Sequence, residues 1–250
     1  MAGEGAKRLA VLGLPVDCVD ADDVQAFIEA TVATGRKAVV SHLNIQGANL
    51  AVKHSWLGDF FRAAELVFCD GDGVRLGLKM SGHVPPPKIT YNEWLWQLAT
   101  FCECKGRSLY LLGGKPGVAT EAAQRLAQRC PQLKIAGTQD GYFDKQGQQN
   151  RAVVERINES KPDILLVCMG MPLQERWIAD NWGDLDVHVA LPGGAALDYA
   201  SGRLEKAPPW MIRVHLEWLY RLFQEPRRLF LRYVIGNPLF IWRVMRERLR

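Results

Sequence analysis

The 250-residue chain lacks two glycine-rich motifs that would identify a common nucleotide-binding site. No Gly-Lys-Ser/Thr completes the glycine turn at 113–117 as a Walker A loop, and no Gly-x-Gly-x-x-Gly follows the first predicted strand. Nucleoside triphosphate hydrolysis and nicotinamide binding therefore have little support. The turn still begins with Gly113 and Gly114 ahead of a predicted helix, an arrangement that would let the backbone approach a phosphate.

Cysteine pairs with the spacing of metal or redox motifs are also missing. The six cysteines form no Cys-x-x-Cys pair. Cys69 and Cys168 fall inside apolar strand patterns, where a thiol behaves as a small hydrophobic group. Cys102 and Cys104 would point to different sides of a predicted helix. We therefore expect reduced, structural cysteines and no metal site among them.

No apolar run is long enough to span a bilayer. The apolar stretch near the N-terminus is short and is interrupted by Pro15 and Asp17, which is untypical of a signal peptide. The most apolar part of the C-terminal region is cut by Arg232 and Pro238. These patterns predict a cytoplasmic protein without a membrane-spanning segment.

The charge of the chain is unevenly distributed. Hydrophobic residues make up 48% and charged residues 23% of the chain, as in an ordinary soluble globular protein. Residues 203–250 contain 11 Lys and Arg against 4 Asp and Glu, a net charge of +7. Residues 1–202 contain 20 against 23, a net charge of −3. The sequence therefore predicts a core over 1–202 and a basic helical appendage over 203–250.

Apolar runs of strand length alternate with helical patterns along the predicted core. Strands are predicted at 9–14, 37–43, 65–69, 108–112, 133–137, 164–168 and 187–191, with helices between most of them, including one over 44–64. This alternation predicts an α/β fold, Rossmann-like, with a mainly parallel sheet and helices on both faces.

The predicted appendage combines helical patterns with arginine and aromatic side chains. Helical patterns cover 210–224, 227–235 and 239–250. Pro226 and the pair Asn237-Pro238 are expected to interrupt them. Such a region could pack on the core as a helical hairpin, or it could lie in an anionic membrane surface. The excess of positive charge favours the second alternative, a peripheral position at the inner face of the membrane.

Polar residues follow the predicted strand that ends at Cys69. Asp70 would be partly desolvated there and could act as a general base. An alternative is an Asx turn, in which the carboxylate binds nearby backbone amides. Asp70-Gly71-Asp72 also has the Asp-x-Asp form that can hold a divalent cation. Because successive residues at a strand end usually diverge, we favour a single working carboxylate over a metal site.

The stretch 161–177 contains a further candidate. It predicts a buried strand over 164–168, a tight turn, and a helix that begins at Pro172. Gln174 and Glu175 would then lie at the carboxyl edge of the sheet, where parallel α/β proteins bind ligands. First-turn Glu and Gln are also common as capping residues, so a purely structural role is an alternative for both.

Several stretches of the chain together resemble one family. They are Asn44 and the segments 70–74, 111–119, 140–143, 161–177, 193–202, 207–211 and 216–228. In this order they resemble the WecG/TagA/CpsF family of bacterial glycosyltransferases. The resemblance implies an inverting, beta-linkage-forming enzyme that passes a hexosyl-type sugar from a UDP-sugar to a polyprenyl-diphosphate-linked saccharide. It further implies cell-surface or exopolysaccharide synthesis at the cytoplasmic membrane face, with no cofactor and no required divalent metal.

The resemblance also implies roles for single residues. Asp70 would take the proton from the acceptor hydroxyl, and Gln174 would hold the sugar or the acceptor. Asp198 would bind the donor ribose, and Tyr142 would lie against the uracil. Three arginines of the appendage would close over the site and neutralise the diphosphate, because guanidinium groups match phosphate oxygens. They are Arg221, Arg228 and Arg232.

Two positions depart from the family pattern. Many members have Thr two residues before the equivalent of Asn44, where this chain has His42. The expected catalytic group is therefore Asp70, Gln174, Asn44 and His42, and the imidazole could assist proton transfer or only cap a strand end. Asp72 replaces a residue that is usually apolar, which keeps metal dependence as an alternative for this chain.

Functions other than glycosyl transfer have less support in the sequence. A non-catalytic membrane adaptor of polysaccharide assembly would bind UDP without turnover. A nucleic-acid partner is not expected, because the slightly acidic core would repel a phosphate backbone. Glucose, N-acetylmannosamine and its uronic acid are all candidate donor sugars, and self-association into a homo-oligomer is compatible with the resemblance.

Overall fold

Parallel strands build the centre of the protein. In chain order the strands are β1 (Arg8–Val11), β2 (Leu14–Asp17), β3 (Ala38–Leu43), β4 (Leu66–Cys69), β5 (Ser108–Gly113), β6 (Lys134–Gln139), β7 (Ile164–Cys168) and β8 (Val189–Pro192). The computed structural model describes residues 7–214 and 216–249, without the side chains of residues 209 and 228. Six of the strands form one parallel sheet in the order β4-β3-β8-β7-β5-β6. The predicted α/β fold with a mainly parallel sheet is confirmed.

Mostly apolar sequence accounts for the complete burial of four of these strands. Every residue of β3, β4, β7 and β8 is buried. Strands that are covered on both faces need apolar side chains on both sides, so their sequences do not alternate with polar residues. Two hydrophobic clusters result, one on each face of the sheet. Trp94 and Leu98 belong to one cluster, and Phe61 and Trp177 belong to the other.

Helices cover both faces, as the sequence predicts. They are α1 (Ala21–Ala33), α2 (Ile45–Lys53), α3 (Ser55–Ala63), α4 (Asp72–Met80), α5 (Tyr91–Lys105), α6 (Val118–Arg129), α7 (Gly147–Ser160), α8 (Leu173–Asn181) and α9 (Ala196–Ala200). Helices α1, α5, α6 and α9 pack on one face, and α2, α3, α4, α7 and α8 pack on the other. The single helix predicted over 44–64 is in fact two, α2 and α3, which meet at His54.

The first predicted strand, at 9–14, is wrong. β1 and β2 instead form an antiparallel hairpin outside the parallel sheet, and the chain turns at Leu12 and Gly13. The apolar run conceals this turn because Leu12 adopts a left-handed conformation, with φ 52°, that leucine rarely adopts. Asp17 ties the hairpin to the sheet, since its carboxylate accepts a hydrogen bond from the backbone N–H of Val67 at 2.7 Å.

The C-terminal residues form a series of short helices. They are α10 (Pro209–Arg213), α11 (Glu217–Gln224), α12 (Pro226–Phe230), a π-helical turn (Leu231–Ile235) and α13 (Gly236–Arg248). The predicted break at Asn237-Pro238 is wrong, because α13 begins at Gly236 and runs through both residues. A proline in the first turn of a helix removes only an N–H that has no partner within the helix.

The last helix is docked on the core. Phe240 and Val244 of α13 are buried in the cluster that also contains Val11 of the hairpin and Leu78 of α4. This packing agrees with the helical-hairpin alternative for residues 236–248, whereas the predicted boundary between core and appendage at 203 stays a prediction.

Other apolar side chains of the C-terminal helices face outward. Trp210 is 62% exposed, Phe223 73%, Leu231 67% and Trp242 51%. Over residues 7–214 and 216–249, we find no helix whose length and apolar content suffice to cross a membrane. The C-terminal region therefore has a docked side and a solvent-facing aromatic side.

The arrangement of helices opens a crevice at the carboxyl edge of the sheet. The helices that follow β3 and β7 lie on one face, and those that follow β5 and β8 lie on the other. Where neighbouring strands send their connections to opposite faces, a gap forms beyond the strand ends, and α/β proteins bind their ligands in such gaps. The turns after these strands are therefore the candidate ligand-binding elements of the fold.

Candidate active site

A cavity of about 1020 Å³ occupies the crevice at the strand ends. Its walls are the turns after β3, β4, β5, β7 and β8, together with α11, α12, the π-helical turn and α13. The volume lies at the upper end of the range of small-molecule sites. Nine of the predicted site residues line it, namely His42, Asn44, Asp70, Gly114, Tyr142, Gln174, Asp198, Arg221 and Arg232.

Asp70 and Asn44 meet across the ends of two neighbouring strands. β3 and β4 pair in parallel with Leu43 opposite Cys69, so the next residue of each strand reaches the same edge. Nδ2 of Asn44 donates a hydrogen bond to Oδ2 of Asp70 at 3.1 Å. Oδ1 of Asn44 caps α2 by accepting from the backbone N–H of Gly47 at 2.9 Å. The cap fixes the amide so that its NH₂ group holds the carboxylate.

The backbone after Asp70 requires glycine. Gly71 has φ 87°, in the left-handed region that residues with a Cβ atom rarely adopt, and it is the N-cap residue of α4. This turn leaves the Asp70 side chain 23% exposed at the cavity wall. The carboxylate is therefore partly buried and remains accessible to a ligand.

His42 lies beneath Asp70 as a buried ring. Its Nε2 atom is 3.7 Å from Oδ2 of Asp70, and only 3% of the residue is exposed. The ring stacks on Phe68 and meets Tyr91 edge to face, with centroid distances of 5.7 Å and 5.2 Å. Burial lowers the pKa of His42, while the Asp70 charge opposes this shift and the Arg232 charge adds to it. The imidazole thus enters the predicted group in its neutral form near neutral pH.

Asp72 forms ion pairs with two cations. Its Oδ2 atom is 2.9 Å from Nζ of Lys88, and its Oδ1 atom is 3.3 Å from Nη1 of Arg75. Lys88 also lies 3.7 Å from Oε2 of Glu217 in α11. Asp70 and Asp72 thus contact different partners, Asn44 and His42 for the first and Lys88 and Arg75 for the second. Within the described ranges, no three or more His, Cys, Asp and Glu side chains are grouped to hold a metal ion.

Gln174 is fully buried and connects two turns of the cavity wall. Its Oε1 atom accepts hydrogen bonds from the backbone N–H groups of Gly170, at 3.2 Å, and of Gly194, at 2.9 Å. Its Nε2 atom donates to Oε1 of Glu175 at 2.8 Å. The sequence predicts that this amide holds substrate, and the structure places its oxygen against two backbone donors. The contact with substrate stays a prediction.

Glu175 is a buried carboxyl group next to the site. The residue is fully buried, and its Oε2 atom has no hydrogen-bond partner in the part of the chain that the structure describes. Burial raises the pKa of Glu175 to about 7. Burying a carboxyl group with an unpaired oxygen lowers the free energy of unfolding.

The glycine turn after β5 packs closely against β7. Gly113 has φ 132°, and a Cβ atom at this position would clash with the carbonyl oxygen of Cys168. The N–H group of Gly114 donates to the same carbonyl at 2.9 Å. Gly114 and Lys115 line the cavity, whereas Gly113 lies outside the lining and packs against Cys168. The carbonyl of Gly114 also accepts from the N–H of Gly141 at 2.9 Å. The approach of this backbone to a phosphate stays a prediction.

Tyr142 and Asp198 both border the cavity at predicted positions. The Tyr142 residue is 68% exposed, so one ring face is available for stacking. Asp198 lies in the first turn of the short helix α9. Its backbone carbonyl accepts from the N–H of Leu204 at 3.0 Å, which anchors the chain leading to the C-terminal helices.

Arg221 reaches the cavity from α11. Its guanidinium lies over the ring of Tyr199, 5.5 Å from the centroid, and Nη2 is 4.0 Å from Oε2 of Glu225. Burial opposes the charge of Arg221, but Tyr233, Tyr199 and Glu225, with a smaller effect of Asp70, outweigh it and raise the pKa of Arg221. Arg228 is another of the three arginines predicted to close over the site. Its side chain lies outside the described residues.

Arg232 reaches the same cavity from the π-helical turn. Its guanidinium lies over the ring of Tyr233, 5.4 Å from the centroid, and its charge lowers the pKa of His42. The C-terminal helices therefore place positive charge across the cavity from the strand ends. The arginine lid that the family resemblance implies stays a prediction.

Sequence reasoning missed two residues at this site. Lys88 joins Asp72 to the C-terminal helix α11, and Tyr91 packs on His42. Both follow the proline run at 85–87, whose path the sequence does not indicate. The N–H of Ile89 donates to the carbonyl of Cys69 at 2.9 Å, and this contact brings the segment alongside β4.

Comparison with known proteins points to a single family. The model described as "Glycosyl transferase WecG/TagA/CpsF family" matches residues 9–250. This range contains the whole cavity wall and the C-terminal helices.

Three curated relatives carry one name, N-acetylglucosaminyldiphosphoundecaprenol N-acetyl-beta-D-mannosaminyltransferase. The protein of Bacillus subtilis strain 168 is 29% identical over 210 residues, 84% of this chain and 80% of the relative. That of Bacillus spizizenii is 30% identical over 185 residues, 74% of this chain and 70% of the relative. That of Staphylococcus aureus strain MW2 is 27% identical over 234 residues, 91% of this chain and 86% of the relative.

Proposed function

The chain belongs to the WecG/TagA/CpsF family of glycosyltransferases, and from this premise we propose that it transfers a hexosyl-type sugar from a UDP-sugar to a polyprenyl-diphosphate-linked saccharide. The names of the relatives support the acceptor class and make N-acetylmannosamine the first sugar to test. One observation carries the proposal. The Asp70 carboxylate, held by Asn44, shares one cavity with Arg221 and Arg232.

In this proposal Asp70 is the general base. The acceptor hydroxyl attacks the anomeric carbon from the face opposite UDP, the new C–O bond forms as the bond to the phosphate oxygen breaks, and its electron pair leaves with UDP. The hydroxyl proton passes to the Asp70 carboxylate. A single displacement of this kind inverts the anomeric configuration and gives the beta linkage. Asn44 keeps Oδ2 in place, so the carboxylate does not have to reorient during the step.

His42 supports this base by being neutral. A protonated imidazole 3.7 Å from the carboxylate would lower the affinity of Asp70 for the proton. Burial against Phe68 and Tyr91 disfavours that charge. The ring therefore shapes the pocket around the base without weakening it.

Two arginines neutralise the departing diphosphate. Negative charge grows on the phosphate oxygens as the anomeric bond breaks, and guanidinium groups stabilise such charge through paired N–H donors. Arg221 and Arg232 face the cavity from the C-terminal helices. In our proposal they supply the positive charge, and a divalent metal is not required. Lys115 adds a further cation at the wall formed by the turn after β5.

The remaining predicted residues bind the donor. Asp198 accepts hydrogen bonds from the ribose hydroxyls, and the exposed ring of Tyr142 stacks on the uracil. The turn of Gly113 and Gly114 lets the backbone approach the diphosphate. Gln174 holds the two turns that flank the sugar.

The lipid part of the acceptor stays in the membrane. We propose that the exposed aromatic side chains of the C-terminal helices, with the surrounding arginines, bind the anionic inner face of the cytoplasmic membrane. This position would bring the cavity to the lipid-linked diphosphate while the lipid tail remains in the bilayer.

The test is a transfer assay with the purified chain. UDP-N-acetylmannosamine, its uronic acid and UDP-glucose are each incubated with polyprenyl-diphosphate N-acetylglucosamine, with and without excess EDTA. We expect elongation of the lipid-linked sugar with one donor, and we expect it to persist in EDTA. UDP binding without transfer from any donor would identify a non-catalytic adaptor instead. Complete loss of transfer in EDTA would contradict the metal-independent step.

A further inference from the structure

The amide group of Gln174 sets the spacing between two turns of the cavity. Its oxygen accepts from Gly170, after β7, and from Gly194, after β8, and both glycines line the cavity. Only the oxygen end of the amide can accept two N–H donors. This end of the amide therefore joins the two turns beyond the point where β7 and β8 pair.

Glu175 decides which way the amide points. The Nε2 atom of Gln174 donates to Oε1 of Glu175 at 2.8 Å, and both side chains are fully buried. In the opposite orientation, the NH₂ group would face the two backbone N–H donors, and these three donors would lack acceptors. An acceptor at Glu175 thus favours the orientation in which Gln174 joins the turns.

We propose that Glu175 is a positioning residue that acts through Gln174 to hold the turns at Gly170 and Gly194 at the spacing a UDP-sugar needs. The proposal rests on the proposed function of the cavity. It assigns Glu175 no contact with substrate. Its effect on donor binding passes entirely through the neighbouring amide.

The unpaired second oxygen of Glu175 argues against a role in packing alone. Oε2 has no hydrogen-bond partner among the residues described here, although the side chain is fully buried. An unpaired buried polar atom lowers the stability of the fold, and an apolar side chain of similar size would avoid this loss. Local features that conflict with stability are typical of functional sites.

The acceptor role does not need a charge. Burial raises the pKa of Glu175 to about 7, so both protonation states are populated near neutral pH. The carboxylate and the carboxylic acid each retain an acceptor oxygen for Gln174. An amide oxygen in the same place would serve equally well. This equivalence separates the proposal from an electrostatic role for the group.

The test compares Glu175→Met, which lacks an acceptor, with Glu175→Gln, which keeps one. For Glu175→Met we expect KM for the UDP-sugar and Kd for UDP to rise about tenfold, the change that one ordinary hydrogen bond corresponds to. Its Tm should change little, because removal of the unpaired oxygen offsets the loss of the acceptor for Gln174. Glu175→Gln should keep KM for the UDP-sugar, Kd for UDP and Tm close to the wild-type values. Glu155→Met, on the exposed side of α7, is the matched control and should behave as wild type.

Hydrogen exchange provides a readout that does not depend on activity. The amide protons of Gly170 and Gly194 should exchange slowly in the wild type and in Glu175→Gln, and faster in Glu175→Met. If the wild type transfers no sugar, the proposed function fails, and this exchange pattern still tests the positioning role.

Three results would overturn the proposal. The first is unchanged exchange at both glycines in Glu175→Met. The second is equal impairment of Glu175→Gln and Glu175→Met, which would assign the effect to the charge. The third is a Tm of Glu175→Met well below that of the wild type, which would assign the side chain to folding.

Discussion

Nδ2 of Asn44 donates to Oδ2 of Asp70 at 3.1 Å, and this bond joins the ends of β3 and β4 at the cavity wall. The same side chain caps α2 through its oxygen. One residue thus links the local folding of a helix to the orientation of the proposed base. Substitutions at Asn44 can separate these two roles, because only one of them needs an NH₂ group.

Asn44→Ser should lower activity without lowering stability. The serine hydroxyl can still accept from the N–H of Gly47 and cap α2, but it is too short to reach Asp70. We expect kcat to fall about tenfold, as for the loss of one hydrogen bond to a charged group, with Kd for UDP unchanged. Asn44→Ala should in addition lose about 1 kcal/mol of stability. A wild-type kcat in Asn44→Ser would show that the bond does not orient the base.

The buried His42 ring should make the stability of the protein depend on pH. Its folded pKa lies below the ordinary value of 6.5, so the unfolded chain takes up the proton first as the pH falls. The stability that the neutral ring contributes is present above pH 6.5 and is lost as the pH falls below it. Asp70 opposes the shift and Arg232 increases it.

The measurement is chemical unfolding of wild type and of His42→Gln between about pH 5 and about pH 8. The wild type should lose more free energy of unfolding than the variant on acidification. Equal pH dependence in the two proteins would contradict a buried neutral imidazole. The His188→Gln variant serves as the control, because His188 is only half-buried and lies before β8, at the other end of the sheet from the cavity.

The two cavity arginines should stabilise the departing diphosphate. Arg221→Gln and Arg232→Gln are each expected to lower kcat by about 10² to 10³, the usual effect of removing one donor from developing negative charge. Inhibition by UDP should weaken in parallel. Arg129→Gln removes an exposed guanidinium from α6, remote from the cavity, and should leave both values unchanged. If the Arg221 and Arg232 variants keep the kcat and the UDP inhibition of this control, the two arginines do not stabilise the departing diphosphate.

Exposed aromatic residues of the C-terminal helices should bind membranes. Phe223 and Phe230 are 73% and 52% exposed, so replacing both by Ser should leave the Tm nearly unchanged. Co-sedimentation with anionic phosphatidylglycerol vesicles should weaken about tenfold or more, because apolar area is lost from the bound state. Val84→Ser is the control, because Val84 is 88% exposed and lies outside the C-terminal helices. Undiminished binding of the double variant would place the membrane surface elsewhere.

The fold and the position of Asp70 follow from local sequence. Continuous apolar runs such as the one at Ile164–Cys168 predict buried parallel strands, and Asp70 follows such a run directly. Asn44 follows the preceding strand of the sheet, so the two residues share an edge. What local sequence does not contain is the order β4-β3-β8-β7-β5-β6, since it depends on how helices pack across the sheet.

Features that depend on unusual backbone or on long-range contact escaped prediction. The turn at Leu12 and Gly13 places a leucine in the left-handed conformation, which an apolar run does not indicate. Pro238 is tolerated because it falls in the first turn of α13. Lys88 and Tyr91 reach the site only because their segment bonds to the end of β4. The two backbone partners of Gln174 come from different strand ends, which sequence spacing does not relate.

The most direct test of the account is the transfer rate of Asp70→Asn with the accepted donor and lipid-linked acceptor. The substitution keeps the size of the side chain and removes its ability to take a proton. We expect kcat to fall by about 10² to 10⁴, with the Tm and Kd for UDP unchanged. An Asp70→Asn variant that transfers sugar at the wild-type rate would contradict the assignment of Asp70 as the base.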